Sequence, residues 1–579
     1  ALDANTTAIN NTAIGYQALT TNTTGAQNIA MGYLALGLQT TGEFNVAIGG
    51  QALYNNTTAN NNVAVGYQSS LANTTGHSNT AIGNHTFKGN TTGNNNTTLG
   101  YAAMVANTTG TRNIAIGAYA YDASDTENDN IAIGYEAMTT NTAGGSENIA
   151  IGSYALNDLT SGDYNTVVGH YAGDVLTTGG SNTMIGQQTG SAMTTASHNT
   201  LVGAFAGEAI TTSTTNVAIG KDSLKALATG DGSNTAVGYE SAMTTTTNTQ
   251  ITAIGYRALK VAVANNSTAV GFQALKALTS GANCVAVGNS ALSSVIGGNN
   301  NNALGGGAGL RTTTGIENIS IGNAALEYNI SGDWNVSVGN NAGASQGTSD
   351  GNTFLGWKAG YNVNEGDYNT GVGFEALIGM SDGVHYNTAV GHQAGKQITT
   401  GDNNLALGTE ALRSGSPGGA VTTGNNIIGL GDENIAACHI QVDWTVASDK
   451  RDKTDVKPIK MGLDFVKKLE PVTYHWDKRS KYVNKHDPAV NLNDVVHTGK
   501  HKEDWTDVGF LAQDVEKLEE EYGHKMKDKS NLTTSLSEDG KQYGLQYSKF
   551  VPILTKAIQE LADTVETLQN EIKELKENT

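Results

Sequence analysis

Proline is almost missing from the first three quarters of this 579-residue chain: of five prolines, only Pro417 precedes residue 430. A long stretch is therefore free to donate its backbone N–H groups to a ladder of paired strands. Cysteine is limited to Cys284 and Cys438, too few for a disulfide framework. Charged residues make up only 15%, and basic ones are scarcest upstream. Before Ser448 there are 11 basic against 28 acidic residues, and from Ser448 onward 22 against 25, which together give the net charge of −20. That balance disfavours nucleic acid and anionic membranes as partners. No apolar run is long enough to span a bilayer, no signal peptide opens the chain, and membrane insertion is not expected. The chain starts at Ala1 rather than Met, and an N-terminal attachment region is expected ahead of it.

What is present in excess is glycine, 72 residues, and it is periodic. The phrase Asn11-Thr12-Ala13-Ile14-Gly15-Tyr16-Gln17-Ala18-Leu19 returns with its glycine at Gly32, Gly49, Gly66, Gly83, Gly100, Gly117 and Gly134. After one extra residue it resumes at Gly152 and runs on to Gly408, with a looser copy at Asn425 to Gly429. A fixed period of about seventeen residues over roughly two dozen copies signals a solenoid. The residue before the glycine is aliphatic or Met (Ile14, Met31, Ile48, Val65), and Thr, Val or Ile stands two places earlier. These two slots share one face of a strand, with a small residue such as Ala13, Ala30 or Ala47 pointing the other way. One face is expected to line the coil and the other to approach a neighbour, and the regular aliphatic slots are expected to supply each coil's core. The glycine allows a sharp bend or a close backbone contact. A cluster such as Asn22-Thr23-Thr24-Gly25 closes the unit as a turn. The leading Asn (Asn11, Asn28, Asn45, Asn62) should stack into a hydrogen-bonded ladder, interrupted at Ile251, Ser267 and Cys284. At about 4.8 Å per rung, roughly two dozen rungs would extend on the order of 110–120 Å.

The Asn-x-Ala-Ile-Gly-x-x-Ala phrase is similar to the repeat of the trimeric autotransporter adhesin head, whose usual period is shorter. The resemblance implies a left-handed parallel β-roll in which three chains pack side by side. The fold class expected is mainly β: a parallel β-roll or solenoid shaft over 1–432, then a connecting segment 433–447, then an α+β domain over 448–579.

Past Gly431 the composition becomes that of an ordinary globular domain, with four prolines and three of the five tryptophans. Ile440 to Val446 alternates like a strand, Met461 to Leu469 has helical spacing, and Pro471 to Trp476 reads as a strand. Residues 477–505 are polar and loop-like, and Gly509 to Glu516 begins a strand-to-helix passage. Leu554, Ile558, Leu561, Val565, Leu568, Ile572 and Leu575 form a heptad seam, predicting a coiled coil over about 550–578. Its core pattern by itself leans toward two strands; three are expected because the shaft sets the count.

Four motifs here, Ser448 to Lys453, Gly462-Leu463-Asp464 leading to Leu469-Glu470-Pro471-Val472, Gly509 to Glu516 and Tyr547 to Pro552, resemble the endosialidase-type intramolecular chaperone in order and spacing. Such domains end phage tail fibres and tailspikes, assemble the trimer and cut themselves off. The resemblance implies Ser448 as nucleophile, Lys453 as base and Ala447–Ser448 as the bond broken. A serine needs a base to become a nucleophile, and a lysine serves only when burial lowers its pKa. Contact with other subunits would supply that burial.

The other features carry less. His497 and His501 stand in a solvated loop, and no metal or cofactor is expected. Leu304 to Gly309 is a copy of the repeat rather than a phosphate loop, Cys438-His439 reads as strand packing, and Gly-Asp-x-Asn turns such as Gly332 to Asn335 cap themselves more often than they hold calcium. The Asn-x-Thr sequons are by-products of the turn. Tyr121, Tyr164, Trp334, Trp357 and Tyr368 are exposed-aromatic candidates for sugar stacking. The function expected is that of a phage tail fibre, a virion component made in the host cytoplasm, homotrimeric, binding a host cell-surface receptor such as a polysaccharide. Its one enzymatic activity would be self-cleavage. The alternatives are a bacterial trimeric surface adhesin and a glycan-cleaving tailspike.

Overall fold

The computed structural model describes residues 2–141, 144–230, 232–247, 249–261, 265–441, 444–483 and 491–578. It divides into two compact units, Ala1–Asn323 and Ala324–Thr579. The first unit is a parallel β-solenoid. Nineteen strands of three residues run from β1 (Thr12–Ile14) and β2 (Ile29–Met31) to β19 (Ile319–Ile321). Neighbours pair in parallel with like slots opposed: Thr12 faces Ile29, Ala13 faces Ala30 and Ile14 faces Met31. Hydrogen bonding between coils continues around the turn, from Leu19 N–H to Ala35 O (3.1 Å), from Thr23 N–H to Thr40 O (2.9 Å) and from Gln27 N–H to Ile9 O (3.1 Å). A short strand is thus only one side of a coil that is bonded to its neighbours on all sides.

The expected core slots require correction. The aliphatic residues flanking each strand centre face outward: Ile14 is 54% exposed, Met31 40% and Ile48 37%. The interior is lined instead by the small central residue (Ala30, Ala47, Ala64) and by the Ala-Leu pair three and four residues past the glycine, such as Ala18-Leu19 and Ala35-Leu36, all fully buried. A coil of seventeen residues encloses too little space for two rows of Ile, so the strand turns its methyl-sized face inward. The interior also conserves volume. Where the strand centre is large, the facing Leu slot is glycine. A Cβ on Gly190 would lie 2.7 Å from Met184 Sδ, and one on Gly360 would lie 2.4 Å from the Phe354 ring.

The periodic glycine does what its slot requires. Gly15 has φ +130°, and a Cβ there would sit 2.5 Å from the Gly32 carbonyl oxygen. Left-handed backbone also recurs at non-glycine positions, with Gln17 at φ +54° and Leu19 at +46° in the first coil.

The Asn ladder is present and buried. Asn28 N–H donates to Asn11 Oδ1 (2.8 Å), Asn45 N–H to Asn28 Oδ1 (2.9 Å), and Asn28 Nδ2 to Gly42 O (2.9 Å). Each side chain therefore satisfies an amide of the next coil and a turn carbonyl. At the expected interruption, Cys284 Sγ takes the side-chain place, 3.2 Å from Gly298 O, and Cys284 N–H reaches Ser267 Oγ at 3.4 Å. A second ladder runs through the turn Asn: Asn73 Nδ2 donates to Asn56 Oδ1 (3.0 Å) and Asn90 Nδ2 to Asn73 Oδ1 (2.8 Å).

The second unit carries six more solenoid strands, from β20 (Val336–Val338) to β25 (Ile428–Leu430), and then an α+β region. Its elements are α1 (Leu463–Lys468), β26 (Val472–Tyr474), β27 (Asp507–Gly509), α2 (Ala512–Glu521), β28 (Thr534–Leu536), β29 (Tyr543–Leu545) and α3 (Phe550–Glu577). β26 pairs antiparallel with β27, and β28 with β29. Met461, Phe465, Val515, Leu518, Phe550 and Ile553 form the core that joins α1, α2 and the start of α3. The helical spacing at 461–469, the strand at 471–476, the strand-to-helix passage and the long terminal helix all match the sequence expectation. The strand expected at 440–446 does not form among the described residues, with Val442 and Asp443 outside them. Trp444 and Val446 are exposed there, so alternation has no sheet to join. Residues 484–490 of the polar loop also lie outside the described residues.

Candidate functional site

Ser448 and Lys453 meet. Between them the chain makes one 3-10 turn, Lys450–Asp452, which folds positions five apart back onto each other. Asp449 caps the turn: its carboxylate accepts the Arg451 N–H at 2.8 Å and pairs with the Arg451 guanidinium at 2.6 Å. That hydrogen bonding holds the Asp449 carboxyl below its usual range and raises Arg451. With the turn fixed, Lys453 Nζ donates to Ser448 Oγ at 2.6 Å. Residues 444–452, Lys453 and the Ala447–Ser448 bond are exposed in the single chain. In the single chain the two side chains lie within hydrogen-bond reach of each other and open to water, with no other described element of the chain covering them.

Of the aromatic candidates, Tyr164, Trp334, Trp357 and Tyr368 are exposed. Tyr121 is not: it is fully buried, because it occupies the inward Leu slot of its coil, and burial pushes its hydroxyl pKa up. The sequence reading missed a periodic feature here. Where the slot after the glycine is aromatic in successive coils the rings stack, with Tyr16 on Tyr33 at 5.6 Å, Tyr256 on Phe272 at 5.2 Å and Trp357 on Phe374 at 4.7 Å. The spacing of Tyr16, Tyr33 and Tyr67, one and then two periods of seventeen, is the sequence signal for these rows.

The Gly-Asp-x-Asn turns use their carboxylates between coils. Asp333 N–H donates to Asp350 Oδ1 (2.8 Å) and Asp350 N–H to Asp367 Oδ1 (2.9 Å). A buried corner gathers carboxylate oxygens of Glu410, Asp432 and Glu433 within 4.8 Å of one another, a cluster that sequence spacing did not reveal. Arg413 already pairs there with Glu410 at 2.8 Å, both almost fully covered. His497 lies 3.6 Å from the Asp477 carboxylate, and the His501 ring packs on Tyr482 at 4.7 Å. Among the described residues no helix is long and apolar enough to cross a membrane.

No curated protein and no solved structure matches the chain. One family does, described as chaperone of endosialidase, over residues 448–524. The match begins at the serine of the Ser448–Lys453 pair, beyond the last solenoid strand, and includes α1, β26, β27 and α2. This chain is a parallel β-solenoid of about seventeen-residue repeats that carries a chaperone-of-endosialidase domain in its C-terminal region.

Proposed function

We propose that the chain is a phage tail-fibre or tailspike protein whose C-terminal domain drives homotrimer assembly and is then cut off at Ala447–Ser448. The observation that carries this reading is the 2.6 Å contact between Ser448 Oγ and Lys453 Nζ at the first residue of the matched domain. In the proposed reaction neutral Lys453 takes the Ser448 hydroxyl proton. Oγ bonds to the Ala447 carbonyl carbon, the C–N bond breaks, and the proton passes to the leaving amine. Water then hydrolyses the ester, leaving an Ala447 carboxylate. Assembly starts the reaction, because only neighbouring subunits can dry Lys453 enough for it to lose its proton.

Two surfaces support a trimer. The outward aliphatic column of the solenoid and the α3 seam of Ile558, Leu561, Val565, Leu568 and Ile572, 44–66% exposed, are more apolar surface than a monomer usually shows to water. Turn-tip rings such as Tyr368 and Tyr386, stacked at 5.6 Å, offer faces to sugar rings of a host receptor. A denaturing gel and mass spectrometry of freshly expressed protein test the reaction. A fragment beginning at Ser448 is expected, and both Ser448→Ala and Lys453→Met should abolish it. Continued cutting of Ser448→Ala at the same bond rejects the assignment.

A further inference from the structure

The turn between β28 and β29 carries Glu538, and Glu538 reaches the end of the solenoid. In the preceding coil the Thr-Thr turn is closed by a single carbonyl of the next coil: Thr399 N–H, Thr399 Oγ1 and Thr400 N–H donate to Thr422 O at 2.8, 3.0 and 3.0 Å. The same arrangement recurs upstream, as where Thr23 and Thr24 N–H donate to Thr40 O. The coil containing Thr422 ends in β25, the last strand of the stack. In place of the absent carbonyl stands the Glu538 carboxylate. Thr422 N–H (2.8 Å) and Gly424 N–H (3.0 Å) donate to its Oε2. Thr423 N–H (2.7 Å), Thr422 Oγ1 (2.8 Å) and Thr423 Oγ1 donate to its Oε1.

The surroundings hold that carboxylate in place. Ser414 Oγ donates to Asp539 Oδ2 at 3.0 Å, and Arg479 Nη2 donates to Lys541 O at 2.6 Å. Gly419, at φ +76°, lets the turn approach: a Cβ there would lie 2.3 Å from the Ser537 Cβ. Behind the turn, the fully buried Glu519 of α2 accepts Thr533 N–H (2.6 Å), Thr533 Oγ1 (2.7 Å) and Thr534 Oγ1 (2.6 Å), tying the hairpin to the domain core.

We propose that this hairpin tip is a detachable end-cap, in which Glu538 stands in for the carbonyl of a coil that does not exist and gives the last Thr-Thr-Gly turn its fold. An uncapped solenoid end leaves inter-coil donors with water alone and frays; a carboxylate with two oxygens replaces the missing acceptor and strengthens each bond through its charge. Glu538 is downstream of Ser448 and its partners are upstream. Hydrolysis at Ala447–Ser448 therefore leaves the cap in place, and the two pieces part only when the Glu538 contacts open. This retention step rests on the cleavage proposed above; the capping does not.

Hydrogen exchange on the full chain, read by mass spectrometry, tests the cap. In Glu538→Ala the amides of 422–424 should exchange about tenfold faster or more, while those of 399–400 and of α2 stay within about twofold of the parent. Unchanged exchange at 422–424 overturns the proposal. Should Glu538→Ala also loosen α2, Thr423→Val removes a donor from the solenoid side and leaves the domain intact. It should speed the same amides by about two- to fivefold, and no change there overturns the cap equally. For retention, the cut pieces of the parent should co-elute on gel filtration and those of Glu538→Ala should separate. Parent pieces that separate at once overturn retention. A denaturing gel without any cut rejects the cleavage reading alone, and the exchange result still decides the cap.

Discussion

Leu19 and Gly360 occupy equivalent places in their coils, both with left-handed backbone, φ +46° and +60°. Strain therefore does not explain why one coil has leucine and the other glycine; the Phe354 ring does, by filling the space that a side chain would take. Gly360→Ala is expected to cost about 1–3 kcal/mol by overpacking, read as a lower denaturation midpoint. Phe354→Ala with Gly360→Leu, the usual pairing in this protein, should recover most of that loss because the two sites share one cavity. Charge acts at the same scale around Glu240. Lys260 at 2.7 Å and Arg257 at 2.7 Å, together with Tyr239, bring its carboxyl down to about 2, against its burial. A lowered folded value means that the stabilisation is complete above the ordinary glutamate pKa, near 4.5, and is lost as pH falls from there toward about 2. Protection factors of the amides over 235–245, corrected for the intrinsic pH dependence of exchange, should fall in that window, and Glu240→Gln should flatten that fall.

A coil is held to the next by its ladder as much as by its strand. Asn165 is fully buried; its Oδ1 accepts Asn182 N–H (3.0 Å) and its Nδ2 donates to Gly179 O (3.0 Å). Asn165→Ala orphans both groups inside the coil, a loss of about 2–6 kcal/mol at about 1–3 for each. Cys284 is the natural counter-example, where a thiol makes the weaker version of the same contact. Cys284→Asn should restore the ladder and raise the thermal midpoint, a gain of about 1 kcal/mol. In the α+β region a single carboxylate joins two helices: Glu560 of α3 accepts the Leu463 N–H at 2.7 Å at the start of α1. Gly462 lets that carboxylate approach: a Cβ there would lie 2.2 Å from it and would push it off the Leu463 N–H. The glycine of the Gly462-Leu463-Asp464 motif thus has its contact in a residue nearly one hundred positions away.

At the scale of the whole molecule, exposed apolar surface is the organising fact. The column of Ile14, Met31 and Ile48 faces outward, and so does the α3 seam. Leu561→Asp with Ile558→Asp should dissolve the association proposed here, shifting sedimentation from three chain masses to one while β-sheet circular dichroism stays. Unchanged sedimentation would reject α3 as the trimer contact.

The strand positions, the stacking of like slots, the Asn ladder and the terminal helix were legible in the sequence, because each depends on spacing along the chain and the period is constant. The Ser448–Lys453 pair was legible through its motif; what draws the two side chains together is the Asp449-capped turn between them. Three things needed the tertiary structure. Which strand face is inside was decided by the cross-section of a seventeen-residue coil, and alternation is symmetric between faces. The burial of Tyr121 was decided by its slot, since an aromatic side chain has no preferred side of its own. The Glu538 contacts join segments more than one hundred residues apart, and no local pattern encodes a distance that only folding closes.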